Sequence, residues 1–429
     1  MKFNTKKTFL IGLAFMSICS FWQLYDNIIP LILKDTFKVG DTFAGLILAL
    51  DNVLALFMLP LFGMISDRTN TRIGKRTPFI LVGTFVSATF MLLLPIADNI
   101  KSLPLFIVSL LLVLISMSTY RSPAVALMPD LTPKPLRSKA NAVINLMGGV
   151  GGIITLVLIS FLVPKNVIKP NYFILFALVA IIMILSVIIL KITIPEKKLA
   201  FERSIIDKED DNIEVKKPTD NINDQLPVEI RRSLIFLLFS VSFWFMGYNA
   251  VVSAFSKYAK YYLGMKGGGF ASSLIIANAA GIIFAIPIGI IATKVGRKKT
   301  VMTGIIMLGT CFLIASFFKT YTPIMNILFA LVGISWASIN VNSYPMVVEM
   351  SKNSNVGKFT GFYYTFSMSA QIITPILSGF LLENMGYWTL FPYAALFVGF
   401  AFITMQFVKH GDSKPMPIKS KLEAYDVVD

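Results

Sequence analysis

The sequence predicts an all-α membrane protein whose twelve transmembrane helices form two pseudo-symmetric six-helix bundles. Three observations lead to this prediction: the composition, the length of the apolar runs, and a repeat between the two halves of the chain. Of the 429 residues, 55% are hydrophobic and 14% are charged, whereas about 25% are charged in soluble domains. A bilayer core of about 30 Å needs roughly 20 apolar residues per helix.

Twelve apolar segments of about that length follow one another along the chain. Their predicted bounds are 9–33, 43–65, 78–97, 104–128, 141–163, 171–194, 233–256, 270–293, 300–318, 322–348, 358–382 and 388–408. The segments do not alternate polar and apolar residues, as the short strands of a membrane β-barrel do. The first is too long and too polar for a cleaved signal peptide, so it is interpreted as the first span.

Most of the 39 Lys and Arg residues lie at the N-terminus, in the even-numbered connections and in the C-terminal tail. By the positive-inside rule, these segments and both termini are expected in the cytoplasm. The net charge of +16 is therefore interpreted as a topology signal rather than as a nucleic-acid surface. Partner binding by the basic loops is the alternative. The Lys-, Ile- and Asn-rich composition favours a bacterial inner (plasma) membrane.

One long polar connection divides the chain. The predicted domains are an N-terminal six-helix bundle at 1–194, a cytoplasmic linker at 195–232, a C-terminal six-helix bundle at 233–410 and a cytoplasmic tail at 411–429. The two halves echo each other at an offset of 222 residues, as in Phe21-Trp22 and Phe243-Trp244. Repeated halves that rock about a central site are typical of secondary transporters.

The connection between spans two and three is basic and rich in turn-forming residues. It runs from Ser66-Asp67-Arg68 to Pro78-Phe79, and a shorter echo, Thr293 to Lys299, lies between spans eight and nine. This arrangement resembles the major facilitator superfamily. The longer form is similar to sucrose/proton symporters and to the glycoside–pentoside–hexuronide:cation symporters. A second similarity covers 120–142, although the spacing from Arg121 to Asp130 is wider here than is usual in sucrose-type transporters.

The resemblance implies a major facilitator fold and a cytoplasmic gate motif. Its candidate residues are Gly63, Asp67, Arg68, Arg72, Gly74, Lys75, Arg76 and Asp130. The Asp67 carboxylate is expected to pair with Arg68, with Arg72 or with a neighbouring helix N-terminus. The alternative is that this loop only fixes topology. The histidine in the first outer loop of plant sucrose carriers is missing, so their exact mechanism is not carried over.

Ionisable residues inside spans are costly unless they face protein or water, so they are the first candidates for function. Asp26, Asp51 and Arg121 are the candidates for cation or proton coupling. Asp26 and Asp51 lie at about the same depth on antiparallel spans, where two carboxylates can share one proton. The depth of Arg121 in the membrane is expected to differ from that of Asp26 by about 10 Å. Structural hydrogen bonding or ion pairing is the alternative for each.

Aromatic rings beside amides and hydroxyls suit the apolar faces and hydroxyl edges of sugars. Trp336, Asn340 and Tyr344 recur every four residues along span ten and so share one face. The full set of candidate substrate-binding residues is Trp22, Gln23, Asn27, Tyr120, Trp244, Tyr248, Asn249, Trp336, Asn340, Tyr344, Tyr364 and Gln371. Helix packing or an interfacial belt is the alternative.

The leading hypothesis is a cation-coupled symporter, driven by H⁺ or Na⁺, that imports a neutral sugar such as a disaccharide. A drug/proton exporter of the same superfamily and a non-transporting membrane sensor are the alternatives. The sequence shows neither a catalytic constellation nor a phosphate-binding loop, so no enzymatic activity and no cofactor beyond the ion gradient are expected. No metal-ligand spacing is present. The expected partners are the sugar, the cation and the lipid bilayer, with the protein a monomer.

Overall fold

The computed structural model describes residues 4–133, 136–165, 167, 169–201, 227–351 and 356–412. Over these residues the chain is helical and contains no β-strand. Twelve helices are long and apolar enough to cross a membrane. The predicted all-α fold with twelve membrane-spanning helices is confirmed.

The twelve helices follow the predicted spans, with shifted ends. The first six are α1 (Thr5–Asp35), α2 (Asp41–Arg68), α3 (Thr77–Asn99), α4 (Leu103–Leu131), α5 (Arg137–Leu162) and α6 (Phe173–Thr193). The others are α7 (Val228–Tyr261), α8 (Phe270–Val295), α9 (Arg297–Ala315), α10 (Met325–Glu349), α11 (Val356–Asn384) and α12 (Leu390–Gln406). α7 differs most from its prediction of 233–256, because the helix continues through charged residues such as Arg231 and Lys257.

Local signals set several of the helix starts. The side chain of Asn4 caps α1 by accepting a hydrogen bond from the Lys7 backbone nitrogen at 3.0 Å, a common N-cap arrangement. α3 and α4 each carry a proline in the first turn, where its missing N–H costs no helical hydrogen bond.

The chain forms two compact units. Unit 1 comprises Met1–Val39, Leu50–Val215 and Lys266–Ile275, and unit 2 comprises Gly40–Ala49, Lys216–Met265 and Ile276–Asp429. Unit 1 thus includes the start of α8, which the sequence assigns to the C-terminal half. Unit 2 includes the start of α2, which the sequence assigns to the N-terminal half. Residues 202–226 of the predicted linker and 413–429 of the predicted tail lie outside the described residues.

The same helix pairs pack in both units. In unit 1, α1 packs on α5 and α6, and α3 packs on α4 and α6. In unit 2, α7 packs on α11 and α12, and α9 packs on α10 and α12. Shifting each helix of the first set by six gives the second set, so the repeat in the sequence corresponds to a repeat in packing.

Small residues bring α1 and α5 together in unit 1. A Cβ atom at Gly151 would overlap the carbonyl oxygen of Met16, so the two backbones approach closely at this point. The Ser20 hydroxyl donates to the Gly151 carbonyl at 3.2 Å, and the Thr155 hydroxyl donates to the Ser20 carbonyl at 3.1 Å. Small residues with interhelical hydrogen bonds are a common way to join helices in lipid.

Unit 2 contains a buried ion pair that the sequence did not predict. The Lys257 ammonium lies 2.7 Å from the Asp41 carboxylate, and these side chains are only 3% and 1% exposed. The Tyr387 hydroxyl donates to the same carboxylate at 3.0 Å. The Glu383 carboxylate accepts from the Thr42 backbone nitrogen at 2.8 Å. These contacts join the start of α2 to α7 and to the end of α11.

Candidate functional site

The central polar cluster of unit 1 begins on α1. Trp22 and Gln23 are half-buried there. The Asn27 amide donates to the Gln23 carbonyl at 2.8 Å and to its side-chain oxygen at 3.3 Å. The guanidinium carbon of Arg121, on α4, lies 5.4 Å from the centroid of the Trp22 ring, within cation–π range. The predicted site residues Trp22, Gln23 and Asn27 therefore lie together on α1. Trp22 also contacts Arg121 of α4.

Asp26, Asp51 and Arg121 are all half-buried in unit 1. The charges of Asp26 and Asp51 interact with each other, and the charge of Arg121 acts on Asp51. The Asn52 amide also donates to the Asp51 carboxylate at 2.8 Å. The three residues come from α1, α2 and α4, so the structure brings the predicted coupling residues into one electrostatic cluster. Arg121 was expected at a different depth from Asp26, yet its guanidinium contacts the Trp22 ring, which is one helical turn from Asp26 on α1.

Several side chains of unit 1 carry buried polar atoms without a hydrogen-bond partner among the described residues. Both polar side-chain atoms of Asn145 are buried without a hydrogen-bond partner, and so is the indole nitrogen of Trp22. Asn145 is on α5, which packs on α1. A buried polar group without a protein partner costs about 1–3 kcal/mol, unless a water or solute molecule forms a hydrogen bond with it. Asn145 was not predicted from the sequence, although an amide inside an apolar run was the available signal.

Unit 2 carries an aromatic surface on α7 and α10. The rings of Tyr248 and Trp336 stack with centroids 3.6 Å apart and planes 4° from parallel. Phe245 meets the same indole edge-on, with centroids 5.3 Å apart. Asn340 is half-buried one turn further along α10. The Asn249 amide nitrogen is buried without a partner. The predicted stripe therefore has aromatic rings beside a free amide donor.

The remaining predicted residues of unit 2 lie along α10 and α11. The Tyr344 hydroxyl is 3.0 Å from that of Thr360, and the rings of Tyr344 and Tyr364 have centroids 6.3 Å apart. The Gln371 amide donates to the Ser367 carbonyl at 3.4 Å. These polar groups are engaged within the unit.

Two candidate residues occupy the packed interior. Tyr120 in unit 1 and Trp244 in unit 2 are both 0% exposed. The Tyr120 hydroxyl contacts the Met117 sulfur at 3.3 Å, and the Trp244 indole nitrogen has no hydrogen-bond partner. Neither ring lies on an accessible wall, which a solute contact needs, so neither is part of the substrate surface proposed below.

The predicted gate motif forms a network around Arg76, the residue before α3. Its side chain is 5% exposed, and its Nε donates to the Asp130 carboxylate at 2.8 Å. A second guanidinium nitrogen pairs with Asp67, and the third donates to the Gly63 carbonyl at 3.3 Å. Asp67 thus pairs with Arg76 at the N-terminus of α3. Of the three partners that the sequence suggested, this is the neighbouring helix start rather than Arg68 or Arg72. The reason is geometric, since Arg76 is where the ends of α2 and α4 meet the start of α3.

The rest of the motif shapes the loop. The Lys75 ammonium lies 3.1 Å from the Asp130 carboxylate. Gly74 has a φ of 126°, a backbone conformation that glycine adopts without strain. Arg68 and Arg72 are exposed, so the motif consists of a buried centre at Arg76 and an exposed basic part.

Glu196, directly after α6, was not predicted from the sequence. Its carboxylate accepts from the backbone nitrogens of Lys75, Arg76 and Thr77 at 2.8, 2.9 and 2.7 Å, and from the Thr77 hydroxyl at 2.6 Å. The residue is 2% exposed. A carboxylate at a helix N-terminus satisfies free N–H groups and complements the helix dipole. Glu196 therefore fixes the start of α3.

Unit 2 has a similar arrangement at the start of α9. The Asp412 carboxylate, after α12, accepts from the Lys298 backbone nitrogen at 2.7 Å. Arg297 pairs with Glu349 at the end of α10. Glu196 and Asp412 are not 222 residues apart, so the sequence repeat did not reveal that they are equivalent.

Glu196→Ala is expected to lower the free energy of unfolding by about 1–3 kcal/mol, because four buried donors lose their acceptor. Thermal unfolding of the purified protein in detergent micelles measures this. Glu229→Ala, which removes an exposed carboxylate at the start of α7, is the matched control and is expected to change little. Equal unfolding temperatures for the two variants would contradict the capping role.

Twelve helices that are long and apolar enough to span a membrane, in two units with equivalent packing, form the architecture of the major facilitator fold. Solved structures agree. The xylose transporter XylE from E. coli in an inward-open conformation matches with a TM-score of 0.69 and 14% identity over 96% of this chain and 97% of that chain. A mutant of the nucleoside transporter NupG matches with a TM-score of 0.68 and 14% identity over 95% of this chain and 100% of that chain.

The family follows from the sequence. The profile of the family described as MFS/sugar transport protein matches residues 10–409, so the chain belongs to that family. Its relatives include the sucrose transport protein SUC3 of Arabidopsis thaliana, 26% identical over 152 residues, which are 31% of this chain and 25% of that protein. This chain thus matches only a quarter of that relative. The uncharacterized MFS-type transporter MJ1317 of Methanocaldococcus jannaschii is 24% identical over 88% of both chains.

Proposed function

We propose that the protein is a secondary active transporter that imports a neutral sugar, such as a disaccharide or other glycoside, together with a proton by alternating access. The observation that carries this proposal is the cluster of Asp26, Asp51 and Arg121 on three helices of unit 1. Charged groups inside membrane spans are costly and commonly mark ion pathways and proton relays.

In this proposal the two carboxylates bind the transported proton. The charge of Asp51 acts on the Asp26 carboxylate, and two interacting carboxylates can share one proton. When the proton leaves, Arg121 balances the negative charge of Asp51. Its guanidinium remains charged at any physiological pH, so it does not compete for the proton. Arg121 also contacts Trp22, which couples the state of the carboxylates to a ring that is a candidate sugar contact.

The sugar is recognised by rings and amides. The stacked pair of Tyr248 and Trp336 offers an aromatic platform for the CH face of a pyranose ring. The amide nitrogen of Asn249, which follows Tyr248 on α7 and has no partner among the described residues, supplies a donor for a sugar hydroxyl group. A sugar suits this set because it needs many hydrogen bonds and no counter-charge. The family description and the printed name of the sucrose transport protein support the same substrate class.

The proposal also covers the energy source, the membrane and the orientation of the protein. The protein acts without a cofactor and catalyses no chemical conversion, and an ion gradient supplies its energy. Its setting is a bacterial plasma membrane, where it works as a monomer with both termini in the cytoplasm, as the basic even-numbered connections indicate.

Uptake into proteoliposomes tests the function. Purified protein is reconstituted, and entry of radiolabelled sucrose or maltose is followed with an inside-alkaline pH gradient, with a Na⁺ gradient, or with neither. Accumulation above the external concentration only with the pH gradient supports proton symport. Accumulation driven only by Na⁺ contradicts proton coupling. Absence of specific uptake of any tested glycoside, with gradient-driven export of a cationic dye, would favour a drug/proton exporter.

Trp336→Leu is expected to raise the KM for the transported sugar about tenfold, equivalent to about 1.4 kcal/mol, because the aromatic platform is lost. Initial uptake rates at a series of sugar concentrations measure this. Trp388→Leu is the matched control, since Trp388 is 48% exposed at the start of the last span. An unchanged KM for Trp336→Leu, or an equal rise for Trp388→Leu, would contradict the assignment.

A further inference from the structure

A basic groove lies at one end of unit 1, where α6 ends and α3 begins. It encloses a cavity of about 660 Å³, and its basic side chains are Arg72, Lys191, Lys197 and Lys198. The polar cluster around Asp26 contributes no lining residue. We keep the name basic groove for this cavity and its four basic residues.

The four basic residues of the groove are all exposed. Across the described part of the chain, none of them forms an ion pair with a carboxylate. The groove does contain one acid, Glu196. Its carboxylate, however, already accepts from three backbone nitrogens and one hydroxyl at the start of α3. The basic groove is therefore a concave surface of positive charge that attracts anions.

Exposed apolar side chains border the same charges. Ile73 is 42% exposed and Phe201 is 67% exposed, and both line the cavity. Ile192, on the last turn of α6, is 76% exposed. An inorganic anion would use only the positive charges, whereas a molecule with an anionic head and apolar chains would use both features. This end of α6 is a span end, where lysines and aromatic rings meet the headgroups of a bilayer.

We propose that the basic groove binds the phosphate headgroup of an anionic phospholipid, whose acyl chains lie along Ile73, Ile192 and Phe201. Basic pockets between membrane helices on the cytoplasmic side are suited to such headgroups. The leaflet follows from the positive-inside orientation. Arg72 belongs to the loop that leads into Arg76, so a bound lipid adds a contact to the segment from which the gate network is built.

The test counts bound lipid rather than transported sugar, so it can fail independently of the proposed function. Full-length protein in detergent micelles is titrated with phosphatidylglycerol or with phosphatidylcholine of the same chain length, and native mass spectrometry counts the lipids retained. We expect preferential retention of phosphatidylglycerol. The variant Arg72→Gln/Lys197→Gln/Lys198→Gln is expected to bind it at least about tenfold more weakly, because it lacks three of the charges that attract the headgroup.

Two controls decide the outcome. Lys101→Gln/Lys266→Gln/Lys319→Gln removes the same charge from exposed sites elsewhere and should bind as the unmodified protein does, as should the conservative variant Lys197→Arg/Lys198→Arg. Equal retention of the two lipids, or equal weakening in both triple variants, would overturn the proposal. Displacement of phosphatidylglycerol by millimolar inorganic phosphate would instead identify a site for free phosphate and would also overturn it.

Discussion

Lys257→Met is expected to lower the free energy of unfolding by about 3–5 kcal/mol, the usual cost of removing one partner from a buried ion pair. Asp41 would then remain 1% exposed with no cation at 2.7 Å. The Tyr387 hydroxyl would still donate to it, but a neutral hydroxyl does not balance a buried negative charge. The unfolding temperature of the purified protein in detergent micelles measures the effect.

The double variant Asp41→Asn/Lys257→Met separates charge from packing. With both charges removed, no uncompensated ion stays buried, so the double variant should be much more stable than the sum of the two single effects predicts. Lys266→Met, at an exposed position shortly after α7, controls for the loss of a lysine. Additive effects of Asp41→Asn and Lys257→Met would show that the two residues do not act as a pair.

Asp26→Asn is expected to abolish accumulation of the sugar while leaving its exchange across the membrane intact. With one proton per sugar, a pH gradient of one unit, about 1.36 kcal/mol, sustains about a tenfold sugar gradient. The amide keeps the size and hydrogen-bonding capacity of the carboxyl group but binds no transported proton. The ratio of internal to external sugar in proteoliposomes should therefore fall from about ten to one.

Counterflow measured without a gradient is the companion assay, since it requires sugar binding and alternating access but no net proton movement. Asp35→Asn, at the end of the same helix, is the matched control and should keep full accumulation. Asp51→Asn should also lose accumulation and should destabilise the protein more, because Arg121 then loses the charge on which it acts. Accumulation that survives in Asp26→Asn would exclude Asp26 from coupling.

The spans were predictable because a bilayer imposes a minimum length on an apolar helix, and this length can be counted in one dimension. The ion-pair partners of charged side chains were harder to predict. The sequence left three partners open for Asp67, namely Arg68, Arg72 or a neighbouring helix start. The structure selects Arg76 at the start of α3, because α2 and α3 meet at that residue. Lys257 was placed in an outer connection since the predicted span ended at 256, yet the helix continues to Tyr261 and buries the lysine.

The orientation of the candidate site residues was also hard to predict from the sequence. Helical periodicity correctly indicates which residues share a face of α10, but it does not say which face of a helix meets a neighbour. Trp244 and Tyr248 are one turn apart on α7, yet Trp244 is fully buried and Tyr248 is half-buried and stacked on Trp336. The rotation of each helix about its own axis depends on its packing partners, and a single sequence does not contain this information.

The position of Glu196 has a consequence for how the protein is made. The Thr77 nitrogen that it caps precedes it by 119 residues, and Asp412 follows its own donor by 114. At about 5–20 residues per second, the ribosome adds Thr77, the first residue of α3, roughly 6–24 s before it adds Glu196, whose carboxylate caps the start of that helix. The third helix of each unit thus gains the carboxylate at its start only after the sixth helix has been synthesised. In a nascent chain that stalls before Glu196, the backbone N–H groups at the start of α3 lack this carboxylate acceptor.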